Sequence, residues 1–343
     1  MTSILATTKV RATQASLIRR YIQSTLSPVS SSSQKEPTKT AQAFAEACRV
    51  FVQKLDTWLS ELEQAFVRGS AERDLASTPL SLQRQFDERY GTMLECLSSI
   101  LPHVDQCNDL LNGLYTMIDT TPRYRTELLQ IFTETASPIW AMLGDWLIRG
   151  MPIPRSLIDL DTISDVERRL DSEFWISRDQ DVSWADEDFW EAAFLIMEER
   201  PACIDDQIHD LVLEAGKARG LLRGLLGREV ESSSDSWQSL TALVHGAGGG
   251  HFDLVELVSE YLKPICQLTT FQLRRTLDED CGLQAHLEAI DGLFFLRGFS
   301  TLQPWTNWLF SQVCTAFFIL QMLMSGDYTQ KMGRLPDLDQ YDA

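Results

Sequence analysis

Paired cysteines and a leader sequence are both missing from this chain. Its 343 residues contain seven cysteines, an odd and scattered set without a Cys-x-x-Cys pair. Such a set predicts neither a disulfide framework nor a zinc ribbon. The N-terminus MTSILATTKVRATQASLIRRYIQ has no long apolar run, so it predicts no secretory signal. We therefore expect reduced, buried thiols in a cytosolic protein.

Positive charge and long apolar runs are also scarce. The 30 Lys and Arg residues stand against 49 Asp and Glu, for a formal net charge of −19. Non-specific binding to nucleic acid or to an anionic membrane needs clustered Lys and Arg, so both are disfavoured. The longest apolar run, CTAFFILQMLM at 314–324, is far shorter than the ~20 residues that cross a bilayer. It predicts a core helix and no membrane span.

Strand patterns are nearly absent, and helical periodicity takes their place. Extended segments are predicted only near 153–158 and 174–176, and no Asn-Gly or Asp-Gly hairpin pattern occurs. One helical apolar stripe consists of Phe44, Phe51, Leu55, Trp58, Leu62 and Phe66. Further helices are predicted at 82–97, 103–118, 124–149, 187–199, 202–227, 252–279, 283–297 and 304–325. The predicted fold class is all-α, an elongated stack of helical bundles with a short irregular connector around 150–185.

Proline and serine mark the predicted interruptions. Residues 27–40, SPVSSSSQKEPTKT, form a Ser/Pro/Lys-rich linker, and we predict that 1–40 are disordered. The tail 326–343 is predicted to be disordered as well. Pro138 interrupts the helix at 124–149, and an interior proline costs about 3 kcal/mol. We expect a kink or a restart there, with Ser137 placed to cap the new helix.

Motifs for catalysis and cofactor binding fail on inspection. HGAGGGH at 245–251 lacks the Gly-Lys-Ser/Thr of a phosphate loop, and its two histidines lack zinc spacing. Asp205, Asp206 and Asp210 are one residue too widely spaced for the aspartate-rich metal motif of helical lyases. The helix dipole explains acids in a first turn after Pro201. A metal-dependent lyase is the weakest hypothesis; we predict no enzyme activity, no metal and no cofactor.

An acidic, tryptophan-rich stretch, SEFWISRDQDVSWADEDFW at 172–190, separates two predicted helices. Each aromatic ring can bury ~150–250 Å², so Phe174, Trp175 and Trp190 are predicted to pin a connector to the bundle. The acids between them would keep the loop in water. For Trp190, simple filling of core space is the favoured interpretation.

Three glycines form a stripe of their own on the helix after Pro201. Gly216, Gly220 and Gly224 recur at steps of four. Interior glycine costs about 1 kcal/mol relative to alanine, so the stripe predicts close approach of another helix. That neighbour could belong to the same fold or to another subunit, and the first is favoured.

The order of these features resembles the gamma-tubulin complex component family. In its first conserved block, a proline-led helix ends in Trp-Leu/Ile-x-x-Gly. Glu-Phe-Phe-Ile, Tyr/Phe-Trp and a proline-started helix with a Gly-Lys core follow. The matching residues are Pro138, Trp146, Gly150, Glu173, Phe174, Ile176, Trp190, Pro201, Gly216 and Lys217. The family usually has Asp-Pro shortly before Glu-Phe-Phe-Ile, whereas this chain has RRLD after a longer connection.

The resemblance implies a structural subunit that contacts sibling components laterally. It implies an N-terminal helical-bundle domain at 41–280 and, at 281–325, the start of a truncated C-terminal domain. Gamma-tubulin would bind only through a C-terminal half that is mostly missing, and the member could be similar to component 5. The implied location is the cytoplasm and cytoskeleton, at microtubule-organising centres and spindle poles. A helical tethering or adaptor scaffold unrelated to tubulin is the alternative that composition supports equally well.

Overall fold

Helices make up nearly all regular structure in the described part of the chain, which confirms the all-α fold class. The structure is a computed structural model that describes 2–27, 37–67, 78–151, 173–179, 181–182, 188–224, 226–227, 237–247, 252–294 and 299–324. The chain divides into two compact units, Met1–Leu273 and Arg274–Ala343. Within the described ranges, no helix is both long and apolar enough to cross a membrane.

Six α-helices occur among the described residues that precede Gly150. They are α1 (Thr2–Leu26), α2 (Lys39–Val67), α3 (Pro79–Phe86), α4 (Thr92–Ile100), α5 (Cys107–Thr120) and α6 (Arg125–Arg149). A π-helical turn, Asp87–Gly91, joins α3 to α4. The 3-10 turns Leu101–His103 and Pro122–Tyr124 come before α5 and α6. The helices predicted at 82–97, 103–118 and 124–149 are therefore present, with α3 and α4 sharing the first.

A small antiparallel hairpin follows, and then further helices. The first unit contains β1 (Ile176–Arg178), α7 (Phe189–Ala192), β2 (Phe194–Ile196), α8 (Asp206–Gly224) and α9 (Leu240–Gly246). Helix α10 (Leu254–Arg275) runs to the unit boundary, and α11 (Leu283–Phe294) and α12 (Phe299–Met324) belong to the second unit. The helix predicted at 187–199 is wrong beyond Ala192, because β2 pairs with β1 in the register Ile176↔Ile196. The extended segment predicted near 153–158 lies outside the described residues.

The prediction that 1–40 are disordered is wrong for α1. Ile18 is fully buried in the core, and the Tyr21 hydroxyl donates a hydrogen bond to the Ala41 carbonyl at 2.9 Å. The Arg11 guanidinium also pairs with Asp87 at 3.1 Å. The apolar stripe of α1 is narrow and lies among Ser, Thr and Arg, so composition favoured disorder although packing favours the helix.

Helix α6 is the centre of the first unit and packs against α2, α5, α8 and α9. The expected restart at Pro138 is wrong, since α6 is one continuous helix through that residue. Ser137 is an exposed position inside the helix and caps nothing. Burial on both sides of the proline, by Phe132 and Leu143, stabilises the helix despite the lost backbone donor.

Candidate functional site

A close crossing of α6 and α8 lies at the centre of the predicted motif residues. Trp146 is buried, and its indole Nε1 donates a hydrogen bond to the Val212 carbonyl oxygen at 2.8 Å. A Cβ atom at Gly216 would lie 2.0 Å from the indole ring, far inside the carbon–carbon contact distance of ~3.5–4.0 Å. Position 216 therefore needs glycine because the indole fills the space of a side chain. We name this contact the α6–α8 junction.

Backbone contacts fix the end of α6 to the same helix. Gly150 ends α6 at φ 78° and ψ −176°, a conformation that essentially only glycine adopts. A Cβ there would lie 2.1 Å from the Gly220 backbone nitrogen. The Met151 amide donates a hydrogen bond to the Gly216 carbonyl at 2.9 Å. The predicted close approach to the glycine stripe is confirmed at Gly216 and Gly220, and the neighbour lies inside the fold.

Sequence reasoning missed two residues of the junction. A Cβ at Gly220 would lie 2.4 Å from Met151 Cγ, so the methionine packs directly on the glycine. The Arg219 guanidinium is buried, and its Nε donates a hydrogen bond to the Ile148 carbonyl at 2.7 Å. This bond satisfies one of the carbonyls that a helix C-terminus leaves open. An arginine in an amphipathic helix is normally assigned to solvent, so no sequence pattern identified this role.

Glu173 caps a helix that lies far away in the sequence. Its carboxylate accepts hydrogen bonds from the backbone amides of Lys39 at 2.6 Å and Thr40 at 2.9 Å. The Thr40 hydroxyl donates a third bond at 2.7 Å. These amides belong to the first turn of α2, where the helix dipole favours a negative charge. Glu173 thus joins the segment before the hairpin to the start of the bundle.

The hairpin carries its aromatic residues onto the junction. Phe174 and Trp175 are buried with ring centroids 4.4 Å apart. The Trp146 ring centroid lies 6.3 Å from that of Phe174 and 5.4 Å from that of Phe194. Ile176, in β1, is buried as well. Phe174 and Trp175 therefore pin the connector to the bundle.

The predicted core-filling role of Trp190 is wrong. Its side chain is 39 % exposed, so it does not fill core space. The buried Lys217 ammonium donates a hydrogen bond to the Trp190 carbonyl at 2.7 Å and lies 5.8 Å from the indole centroid. Burial lowers the pKa of the Lys217 amine. The lysine joins α7 to α8 through a backbone bond and a cation–π contact.

Two asparagines hold the turn around Pro201. Asn108 donates a side-chain hydrogen bond to the Glu199 carbonyl at 2.8 Å, and Asn112 donates to the Arg200 carbonyl at 3.1 Å. The Asn112 carbonyl oxygen accepts from the Ala202 amide at 2.7 Å. Sequence reasoning missed both, although polar residues one turn apart on the buried face of α5 indicate such a role.

His209 occupies a buried position beside the aromatic residues. It is fully buried on α8, and its ring lies 5.5 Å from the Trp175 ring in an edge-on arrangement. Burial lowers the pKa of the imidazole, and the positive charge of Arg200 lowers it further. A neutral histidine here acts as a packing residue.

The chemistry of the described residues is that of a packing site. No group of three His, Cys, Asp or Glu in these ranges is placed to hold a metal ion. Asp206 lies in the first turn of α8 and pairs with Arg200 at 2.9 Å, as expected for a helix N-terminus. Burial raises the pKa of the Cys203 thiol to about 12, which keeps it protonated and unreactive. Residues 248–251 of the glycine-rich stretch lie outside the described residues.

An apolar groove lies apart from the junction, between α1, α2 and α3. Its volume is about 490 Å³, within the ~300–1,000 Å³ usual for binding sites. Leu55, Trp58 and Phe86 line it. Leu5, 71 % exposed, and Leu59, 39 % exposed, extend the apolar surface from the groove into solvent. We name this surface the α1–α3 groove.

Comparison with known proteins shows the family to which this chain belongs. No curated protein is significantly similar to the chain. The model of the family described as "Gamma tubulin complex component N-terminal" matches residues 7–282, a range that starts in α1 and includes the whole α6–α8 junction. Because this match covers most of the sequence, the chain belongs to the gamma tubulin complex component N-terminal family.

Proposed function

We propose that the chain is a structural subunit of a gamma-tubulin complex, in which lateral contacts with sibling components help to template microtubule nucleation. The family match over residues 7–282 carries this proposal. The α6–α8 junction supports it, because its residues fix helices, strands and turns relative to one another. Such a unit presents a surface in a defined geometry and has no need of a catalytic group.

The partners and location follow from the same proposal. Sibling components would bind the first unit directly, whereas gamma-tubulin would bind only through the C-terminal half of a full-length component. The complex would act in the cytoplasm, at microtubule-organising centres such as the spindle pole. Family membership favours this role over the tethering or adaptor scaffold. Similarity to component 5 in particular stays a prediction, as do the domain limits 41–280 and 281–325 and the disordered tail 326–343.

The α1–α3 groove is the surface we propose for the lateral contact. Its lining is mainly apolar, with the charged Arg11, Arg19 and Asp87 among it, and the exposed Leu5 and Leu59 continue the apolar area. A helix of the sibling component could insert large apolar side chains there, as amphipathic helices do in other apolar grooves. Aromatic lining residues such as Trp58 and Phe86 are the types that dominate binding energies at interfaces.

A binding experiment with one matched pair of variants tests the function. Leu59→Asp adds a negative charge beside the groove, whereas Gln53→Asp adds the same charge at an exposed position on another side of α2. We expect the purified chain to bind the N-terminal half of a sibling component, and Leu59→Asp to weaken binding at least ~10-fold, about 1.4 kcal/mol. Gln53→Asp should bind like the wild type. Gamma-tubulin alone should not bind detectably.

Each contrary outcome has a separate meaning. Absence of binding to every sibling component would refute the proposed function. Equal binding by both variants would leave the function standing but refute the groove as its surface. One-to-one recovery of gamma-tubulin would show that its binding site lies within this chain.

A further inference from the structure

Helix α12 differs from the rest of the protein in its charge. Its 26 residues, FSTLQPWTNWLFSQVCTAFFILQMLM, contain no Asp, Glu, Lys or Arg, although the whole chain carries a net charge of −19. A helix of this composition is normally buried against a partner. Of the side chains described on α12, all but the partly buried Thr306 are instead exposed to solvent.

Most of the exposed apolar side chains of α12 lie along one broad face. Trp305, Leu309, Val313 and Phe317 follow one another at steps of four, and Phe310, 66 % exposed, lies on the same side one turn before Val313. Their exposed fractions range from 40 % for Leu309 to 71 % for Phe317. We name this set the α12 stripe. The side chains of 318–320 lie outside those described.

The other side of α12 carries small polar residues, with Trp308 at its edge. Asn307, Ser311 and Thr315 recur there at steps of four. The Ser311 and Thr315 hydroxyls donate hydrogen bonds at 2.7 Å to the carbonyls of Trp308 and Ser311, four or fewer residues earlier in the helix. These hydroxyls are satisfied within their own helix, so this side is suited to remain in water.

We propose that the α12 stripe binds the same stripe of a second copy of this chain. Three aromatic residues of ~150–250 Å² each, exposed by more than half, give with Leu309 and Val313 roughly 500–600 Å² per copy. Two copies together reach roughly 1,000–1,200 Å², the lower limit for a specific protein–protein interface. A symmetric dimer reaches this buried area without any other partner, because the same apolar patch of each copy forms one half of the interface.

The charge of the chain also favours this occupant over a basic partner. An uncharged helix offers no counter-charge to lysines or arginines, and two uncharged helices meet without repulsion at the contact. The negatively charged residues outside α12 repel one another between the two copies, and a higher salt concentration screens this repulsion. Association should therefore strengthen between ~0.05 M and ~0.5 M salt, whereas an ion-paired contact would weaken. This proposal rests on α12 alone and does not depend on the proposed function.

Sedimentation of the full chain, with matched variants, tests the proposal. We expect a monomer–dimer equilibrium with a micromolar Kd, measured from ~1 to ~100 μM. Val313→Asp buries a charge in the proposed contact and should weaken dimerisation at least ~10-fold. Ser311→Asp adds the same charge on the polar side and should leave the Kd within about twofold. Circular dichroism should show that both variants keep the helical content of the wild type.

Three outcomes would overturn the inference. The first is a wild-type chain that remains monomeric at ~100 μM. The second is equal dimerisation of the two variants. The third is dissociation caused by Leu287→Asp but not by Val313→Asp, which would move the contact to the exposed leucine of α11. If Val313→Asp loses helical content, Trp305→Gln provides the second variant, since it removes apolar area without adding a charge.

Discussion

Substitution of Gly216 by alanine tests the α6–α8 junction most directly. The new methyl group would lie 2.0 Å from the Trp146 indole, so the ring has to move by more than 1 Å. Overpacking of this kind costs about 1–3 kcal/mol, and loss of the bond to Val212 leaves a buried donor at a cost of about 1–3 kcal/mol. Alanine is more favourable than glycine inside a helix by about 1 kcal/mol, which offsets part of these costs. We expect a net loss of about 1–5 kcal/mol of unfolding free energy.

Two comparisons separate this clash from general effects of the substitution. Gly113 lies in α5, and a Cβ there would have Ile100 as its nearest neighbour at 3.8 Å, an ordinary contact. Gly113→Ala should therefore leave the stability unchanged or raise it by up to about 1 kcal/mol. In a Trp146→Phe background the indole atoms nearest to the new methyl are gone, so Gly216→Ala should cost at least about 1 kcal/mol less.

Urea and thermal unfolding followed by circular dichroism provide the assay. For a chain of this size, the expected loss corresponds to a Tm decrease of roughly 1–7 °C. Equal effects of Gly113→Ala and Gly216→Ala would show that helix propensity alone decides the result. Additive costs in the double variant would show that the indole and position 216 do not interact, and the proposed reason for the glycine would be wrong.

Three further predictions concern other residues of the first and second units. Glu173→Gln removes the charge that caps α2 and should lower the unfolding free energy by about 1–2 kcal/mol; an unchanged urea midpoint would contradict the cap. The pKa of His209 is lowered in the folded state, so the unfolded state binds its proton more readily, and stability should fall as the pH decreases through about 6.5. The change in urea midpoint between pH 7.5 and 5.5 should therefore be smaller in His209→Gln, and an equal change would refute this assignment. Of the seven free thiols, only the exposed Cys281 and Cys314 should react rapidly with a thiol reagent in the native protein; more rapid thiols would show that the five buried ones are accessible.

Periodicity in the sequence predicted most helices because their apolar stripes are wide. Phe44 and Leu55 of the predicted stripe are buried in α2 as expected, and Phe51 is partly buried against the same core. The same approach failed for α1, whose buried contribution to the core is centred on Ala15 and Ile18. A helix that contributes so few apolar residues depends on the surface it packs against, and that surface is formed by helices distant in sequence.

The glycines of α8 show that residues unfavourable to a helix can indicate a close packing contact. Three helix-breaking residues in register are unfavourable by themselves, so their presence indicated a neighbour before any neighbour was known. The identity of that neighbour, Trp146, came from the structure alone. The role of Arg219 could not be predicted at all, because a bond to a carbonyl 71 positions earlier has no local pattern.

A short strand and the restart expected at Pro138 are the remaining wrong predictions. Phe194–Ile196 lies in a run that also fits a helix, and only pairing with Ile176–Arg178 decides in favour of the strand. The helix does not restart at Pro138, because the tertiary contacts of α6 outweigh the local cost of one missing backbone donor.

The cap that Glu173 supplies to α2 has a consequence for synthesis of the chain. Its carboxylate binds the Thr40 amide across 133 positions, so a growing polypeptide exposes the open end of α2 long before the cap exists. At ~5–20 residues per second, that interval lasts roughly 7–27 s. During this time the N-terminal helices have to remain soluble without their final contacts. On the ribosome, the first unit can therefore complete its folding only after the hairpin has been translated.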